Sequence, residues 1–265
     1  MTLMIAAVAA AFLGTVLSAA LPASGSNKAS LDKRDHVKAL YIWNTGPGFN
    51  NPSSYPQETD DAWQKVELEF PIQIFDKSNT TAWISMNGIF CLDDPTGLGP
   101  SVPATSLPVG ASQCNGKGCL PSTCVLPFWG DYYLPKKSEK ARSVRLTYHY
   151  PSTAPQVGHH YHVGWDVCSK ASQASSAAQH ADCGDQGYEF QMNIFKSHPG
   201  KFYIYYFNMP DHTPGIIGAQ SLPNFIQASG SSQNAAGPKK KVTCAIIDTI
   251  AGTVITGGKR EDCAP

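Results

Sequence analysis

The side chains best suited to hold a metal ion stand together in His159-His160-Tyr161-His162. On an extended segment His160 and His162 project to one face, so both imidazoles can reach a single ion. Asp166, or His149 from a neighbouring strand, would supply a third ligand. The competing reading is a polar strand face that happens to be rich in histidine. Asp93 and Asp94, together with Asp131, have the oxygens that calcium takes. Aspartates in loops more often satisfy turns, so that reading competes with calcium. No cofactor is expected, with calcium the one alternative kept open.

Catalytic signatures are sparse. The chain has no G-x-S-x-G elbow, no H-E-x-x-H pair and no phosphate-binding G-x-x-x-x-G-K-[ST] loop. A sandwich glycosidase needs two carboxylates flanking the scissile bond. Glu67 and Glu69 share one strand face, too close together to straddle a sugar from both sides. Glu189 with Gln191 and Asn193 makes a polar strand face that could line a cleft. No catalytic residue is assigned, and the chain is read as non-enzymatic. Tyr203, Tyr205 and Phe207 alternate with Phe202, Ile204 and Tyr206, so apolar side chains leave both faces of one strand. Either that strand is covered on both sides, or Tyr203, Tyr205 and Phe207 form an aromatic platform for a ligand.

Eight cysteines, an even number, lie at 91, 114, 119, 124, 168, 183, 244 and 263. The spacing Cys114-x4-Cys119-x4-Cys124 lacks the CxxC of a zinc site, so four disulfides are expected. Proximity along the chain suggests Cys114–Cys119, Cys91–Cys124, Cys168–Cys183 and Cys244–Cys263. Asn79-Thr80-Thr81 is a glycosylation sequon, expected in an exposed turn, whereas Pro52 disqualifies Asn51-Pro52-Ser53.

The elements that must position these groups read as strands. KVELEFPIQI at 65–74 alternates with period two, placing Val66, Leu68, Phe70, Ile72 and Ile74 on one face. Pro71 cannot donate to a ladder, which puts this strand at an edge or at a bend. AWISMNGIFC at 82–91 reads as a hairpin around Asn87-Gly88, both residues tolerating positive φ. CVLPFWGDYY at 124–133, SVRLTYHY at 143–150, the segment 160–167, and 188–195 with 201–207 follow as strands, the last two joined by a short loop. A β-branched run at 241–247 closes the series. About eight short strands with no amphipathic helix predict an all-β antiparallel sandwich, jelly-roll or similar, with long loops over 95–118 and 169–186.

Composition agrees. The 265 residues carry 20 basic and 20 acidic side chains, a balance that favours neither nucleic acid nor a polybasic membrane contact. With 23 Gly and 20 Pro the chain is turn-rich. LMIAAVAAAFLGTVLSAAL at 3–21 reads as a secretory signal peptide, although no Lys or Arg precedes it; a signal anchor is the alternative. Lys33-Arg34 reads as a dibasic processing site, and removal of 1–34 would leave 17 positive and 19 negative side chains. The C-terminal GKREDCAP has no hydrophobic tail for a lipid anchor. The organisation expected is a signal peptide over 1–20, with cleavage as late as 23, and a propeptide over 21–34. An N-terminal extension over 35–62, a sandwich over 63–255 and a tail over 256–265 follow.

Four runs in order carry a family resemblance: WISMNGIF at 83–90, LPFWGDYY at 126–133, VGWDVC at 163–168 and YEFQMNIF at 188–195. Together they resemble the NIDO domain, the extracellular β-rich module of nidogen, and related domains of secreted fungal proteins. That family shows a VNG-hydrophobic strand, a PFW-acidic strand, a W-x-N/D-V strand and an aromatic-Phe-Gln strand in this order. Met86 stands where Val is usual, Gly130 replaces a residue often acidic or small, and the cysteine-rich insert 110–124 has no counterpart. The resemblance spans roughly residues 63–220 and implies an adhesive, extracellular context without catalytic residues. The function expected is a secreted, non-catalytic binding protein at a cell surface or in a matrix, of adhesion or host-interaction type. Its partner would be an extracellular protein or a polysaccharide. A lectin-like sandwich, calcium-assisted or not, and a polysaccharide-active hydrolase are the alternatives.

Overall fold

The structure, a computed structural model, describes residues 37–45, 59–96, 106–109, 120–135, 141–150, 158–169, 183–184, 187–209, 215–228 and 242–265. The strands in chain order are β1 (Val37–Thr45), β2 (Thr59–Asp60), β3 (Trp63–Ile74), β4 (Lys77–Ser85), β5 (Ile89–Cys91), β6 (Thr123–Trp129), β7 (Tyr132–Leu134), β8 (Arg142–His149), β9 (His160–Ser169), β10 (Tyr188–Phe195), β11 (Lys201–Asn208), β12 (Ile216–Ser221), β13 (Asn224–Gln227), β14 (Cys244–Asp248) and β15 (Thr253–Gly257). A short 3-10 turn, Arg260–Cys263, follows. They form two antiparallel sheets. One has nine strands, ordered β1-β8-β9-β10-β11-β14-β15, with β7 joining β2 to β9; the other has six, β13-β12-β6-β5-β4-β3. Meander stretches β3-β4-β5-β6, β8-β9-β10-β11, β12-β13 and β14-β15 are joined by non-sequential pairings, β1 with β8, β2 with β7, β7 with β9, β6 with β12 and β11 with β14. The chain enters the six-stranded sheet with β3, returns at β7, visits it again with β12 and β13, and finishes in the nine-stranded sheet.

Period-two patterning explains the layers. In β3 every second residue is buried from Val66 to Ile74, and those side chains face the other sheet. β3 is an edge strand, as Pro71 requires, and its pairing with β4 shifts register between Glu67 and Ile72. Tyr161 of β9 reaches across the core, its hydroxyl accepting the backbone N–H of Glu69 in that irregular stretch. Two further aromatics tie the sheets: the Trp165 indole donates to Ser85 O at 2.9 Å, and the Tyr206 hydroxyl to Pro127 O at 2.8 Å. Trp165 stacks on Phe190 at 5.2 Å, and Phe128 meets Phe190 edge-on at 6.1 Å. Fully burying each such ring contributes roughly 1.5–3 kcal/mol.

The Asn87-Gly88 turn differs from a two-residue hairpin. Ser85 pairs with Ile89, leaving Met86, Asn87 and Gly88 in the loop, and of these Gly88 alone takes a positive φ, +71°. Asn87 is wholly buried and serves as a tie. The run at 124–133 is likewise two strands: β6 belongs to the six-stranded sheet and β7 to the other, with a corner at Gly130-Asp131. A Cβ on Gly130 would lie 2.6 Å from the Tyr132 ring, which packs into that corner.

The boundaries expected from sequence shift outward. β1 lies inside the supposed N-terminal extension, pairs with β8 and buries Ile42 and Trp43 in the core. The C-terminal tail folds back, with Cys263 buried. Disulfides join Cys91–Cys124 across β5 and β6, Cys168–Cys183, and Cys244–Cys263. Cys114, Cys119, Lys33, Arg34 and the signal and propeptide segments lie outside the described residues.

Candidate functional site

The two outer faces of the sandwich are unlike. That of the six-stranded sheet is roofed over β5, β6 and β12, where Leu107, Val109 and Leu120 form a second core with Ile89, Leu126, Trp129 and Ile216, and is open over β3 and β4. Buried Gln220 of β12 fixes this roof, its Oε1 accepting Val109 N–H at 2.9 Å and its Nε2 donating to Val109 O and Pro121 O. The outer face of the nine-stranded sheet is polar over β8, β9 and β10. Register places Ser143, Asp166 and Glu189 in one cross-strand row, Arg145, Gly164 and Gln191 in the next, and Thr147, His162 and Asn193 in a third.

A shallow groove of about 240 Å³ runs over these rows, lined by Arg145, His162, Asp166, Glu189 and Gln191, with Phe207 of β11 at its side. Gly164 makes the floor. A Cβ there would stand 3.2 Å from both Arg145 Nε and His162 Nε2, so a larger residue would crowd the groove. At one end Asp166 Oδ1 accepts from the buried Arg142 guanidinium at 2.8 Å, and Arg142 also donates to Gly184 O. Burial nevertheless raises the Asp166 pKa, with Glu189 opposing its charge as well and Arg142 pulling the other way. Burial, helped by the charge of Arg145, lowers His162 to about 4, so its imidazole is neutral at pH 7. Nε2 of His162 and Oδ1 of its register partner Asn193 are buried without a hydrogen-bond partner among the described residues. Arg145, Gln191 and Glu189 make no side-chain hydrogen bond or ion pair with any described residue. Hydrogen-bonding capacity therefore stays unspent on this face among the described residues, as it also does at the buried Trp129 Nε1 and Thr243 Oγ1 elsewhere.

The histidines expected to bind metal do not converge. His149 and His160 stack with ring centroids 4.5 Å apart and planes 2° from parallel, and His162 lies 6.3 Å from His149. Stacked rings aim their nitrogens side by side and not at a common point. His160 Nδ1 is taken up by Gly158 O at 3.1 Å. Among the described residues no three His, Cys, Asp or Glu side chains are gathered as a metal set. Asp94 closes a local turn, accepting Thr96 N–H at 2.8 Å and the Thr96 hydroxyl. Asp93 follows β5 beside it, and Asp131 stands at the β6–β7 corner, so the three aspartates are not assembled as a calcium site.

Tyr203, Tyr205 and Phe207 share the outer face as expected, but the protein covers much of it. Tyr203 is buried and packs edge-on against Phe195 at 5.2 Å. The Tyr205 hydroxyl donates to Cys263 O at 2.9 Å, and the Arg260 guanidinium lies 4.2 Å over the Phe207 ring. The C-terminal turn, held by Cys244–Cys263, thus roofs this strip, and Phe207 stays 40 % exposed beside the groove. Asn79 is exposed, in β4 and not in a turn, with its Oδ1 accepting Thr81 N–H at 3.1 Å.

Sequence reasoning found Glu189, Gln191 and His162 but missed Arg145 and Gly164 as parts of one site. Their only signal was position: Arg145 takes the polar phase of SVRLTYHY with Ser143 and Thr147, and Gly164 sits between His162 and Asp166 where a strand would normally carry a side chain. No family model, no curated protein and no solved structure matches this chain.

Proposed function

We propose that this is a non-catalytic binding protein of the extracellular space, and that it recognises its partner through the outer face of the nine-stranded sheet. The carrying observation is the asymmetry of the sandwich. One outer face is roofed over β5, β6 and β12 by apolar loop residues, while the other presents a groove in which Arg145, Gln191 and Glu189 have no side-chain hydrogen bond or ion pair among the described residues. Three disulfides support an oxidising compartment, and with the apolar segment at 3–21 they support secretion. No helix among the described residues is long and apolar enough to cross a membrane.

The NIDO-like assignment belongs to this reading. Its four motifs meet in one inter-sheet cluster through Ser85, Phe128, Trp165 and Phe190. They act as packing residues, which suits a scaffold whose binding residues vary. A hydrolase is the weaker reading. Asp166 and Glu189 are direct cross-strand neighbours on one floor, so they lie on the same side of anything in the groove and not across a scissile bond.

The test is retention. Protein secreted from cells expressing the full chain is passed over insoluble glucan, chitin, mannan and immobilised matrix proteins, with and without EDTA. Retention that Arg145→Ala removes and Lys65→Ala, on the opposite sheet, leaves intact supports the reading. Retention indifferent to Arg145→Ala, or release of soluble sugar from a retained polymer, overturns it.

A further inference from the structure

Resting on that reading, we propose that the groove over Gly164 holds one ring of an uncharged sugar, with Arg145, Gln191 and Glu189 as its hydrogen-bonding side chains. Three observations lead there. The first is the donor and acceptor inventory. Arg145 offers only donors, Glu189 only acceptors, and Gln191 both, while none of the three is engaged by a described residue. Each hydroxyl of a sugar both donates and accepts, so a ring of hydroxyls satisfies such a mixed set. A plain anion or cation would satisfy only part of it.

The second is charge. Arg142 is ion-paired with Asp166, leaving Arg145 and Glu189 as the balancing pair across the groove, one strand to each side of Gly164. A carboxylate ligand would face Glu189, and an ammonium would face Arg145. Neutral His162 adds no charge, and its buried Nε2 sits at the groove wall with no partner among the described residues.

The third is shape. About 240 Å³ is less than the roughly 300–1,000 Å³ that houses a drug-sized ligand, and it suits a single ring. Because Gly164 has no side chain, Arg145 Nε and His162 Nε2 lie close over the sheet, 3.2 Å from where its Cβ would stand, so the ring would rest on these two side chains, and the part of Phe207 that Arg260 leaves exposed offers an apolar wall for its C–H face. A ligand of about a dozen non-hydrogen atoms in an open groove binds with a Kd near the millimolar range.

The experiment is saturation-transfer NMR on the full-length secreted protein, with glucose, mannose, galactose and N-acetylglucosamine each titrated to about 20 mM, and glucuronate as the charged counterpart. At least one neutral sugar should bind, more tightly than glucuronate. Arg145→Ala and Gln191→Ala should each weaken it at least about tenfold, while Lys65→Ala should not. Neither tested side chain makes a hydrogen bond or ion pair with a described residue, so the variants should keep the parent's unfolding midpoint. Gly164→Val, which fills the floor, should abolish binding; should that variant fail to fold, the other two decide. Binding of none of the four sugars, preference for glucuronate, or neutral-sugar binding unmoved by both alanine variants overturns the inference. If no sugar binds but Arg145→Ala still removes retention on a matrix protein, the sugar inference falls and the sheet-face reading stands. If Arg145→Ala leaves retention unchanged as well, both fall.

Discussion

The side-chain oxygen of Asn87 accepts the backbone N–H of Tyr132 at 2.8 Å, so a turn in the six-stranded sheet holds the first residue of the strand that carries the chain into the nine-stranded one. The Asn87 side-chain amide donates in turn to Asp61 Oδ1 at 2.8 Å, and the Asn87 backbone carbonyl accepts Gly130 N–H at 3.3 Å. Asn87→Ala removes the acceptor and strands a buried N–H, at a cost of about 1–3 kcal/mol for each group left unmet. We expect a loss of about 2–4 kcal/mol, read from the urea midpoint. A loss below about 0.5 kcal/mol would mean that the tie is incidental.

The core aromatics that bridge the sheets make a second test. Tyr206→Phe and Trp165→Phe each leave a buried carbonyl, Pro127 O or Ser85 O, without its donor. Tyr206→Phe keeps the ring, so its expected cost of about 1–2 kcal/mol isolates the hydrogen bond. Trp165→Phe adds lost volume and should cost more. Equal costs would show that packing contributes nothing at Trp165.

Stability should depend on pH through His162. Its folded-state pKa of about 4 lies below the unfolded 6.5, so between those values the unfolded chain binds a proton that the folded chain refuses. The contribution is whole above pH 6.5 and is lost as pH falls toward 4, up to about 3 kcal/mol in all. The groups facing His162 are Arg145, His149 and His160, with Thr147 and Asn193 beside it, and His149 is lowered in the same sense by its burial. His162→Gln should therefore flatten, without abolishing, the fall in urea midpoint between about pH 7 and pH 4.5. An unchanged slope would refute the burial account.

Disruption of Cys244–Cys263 should release the C-terminal turn from Tyr205 and Phe207. The double Ser variant opens a loop spanning a sequence separation of 19, worth about 3 kcal/mol in stability. Carboxypeptidase should then remove residues beyond Gly257, which the parent protects. Equal resistance in both proteins would mean that the Tyr205 and Arg260 contacts alone suffice.

Thiol chemistry checks the remaining cysteines. Under denaturing but non-reducing conditions the secreted protein should take up no alkylating reagent, and after reduction it should take up eight equivalents by mass. Two equivalents before reduction would place free thiols at Cys114 and Cys119.

Much of the architecture was legible because strand faces are written with a local period. Val66 to Ile74 announced a half-buried edge strand, and Tyr161, Val163 and Trp165 separated cleanly from His160 and His162. β1 escaped notice: its apolar residues Leu40, Ile42 and Trp43 make little alternation, because a bulge between Tyr41 and Trp43 breaks the period. The corner at Gly130 was hidden for the opposite reason, since an unbroken apolar run does not reveal that it changes sheets.

By itself, then, the amino-acid order determined which side chains share a face of each strand and the class of fold. Only the tertiary structure decided which strands lie side by side, and so that Arg145, Gly164 and Gln191 form one row while the three histidines stack without converging. It also decided which outer face is roofed, by Leu107 and Val109 on one sheet and by the C-terminal turn over part of the other. The physical reason is range. Side-chain direction along a strand is set by neighbouring dihedrals, whereas register and covering depend on contacts between segments far apart in the chain.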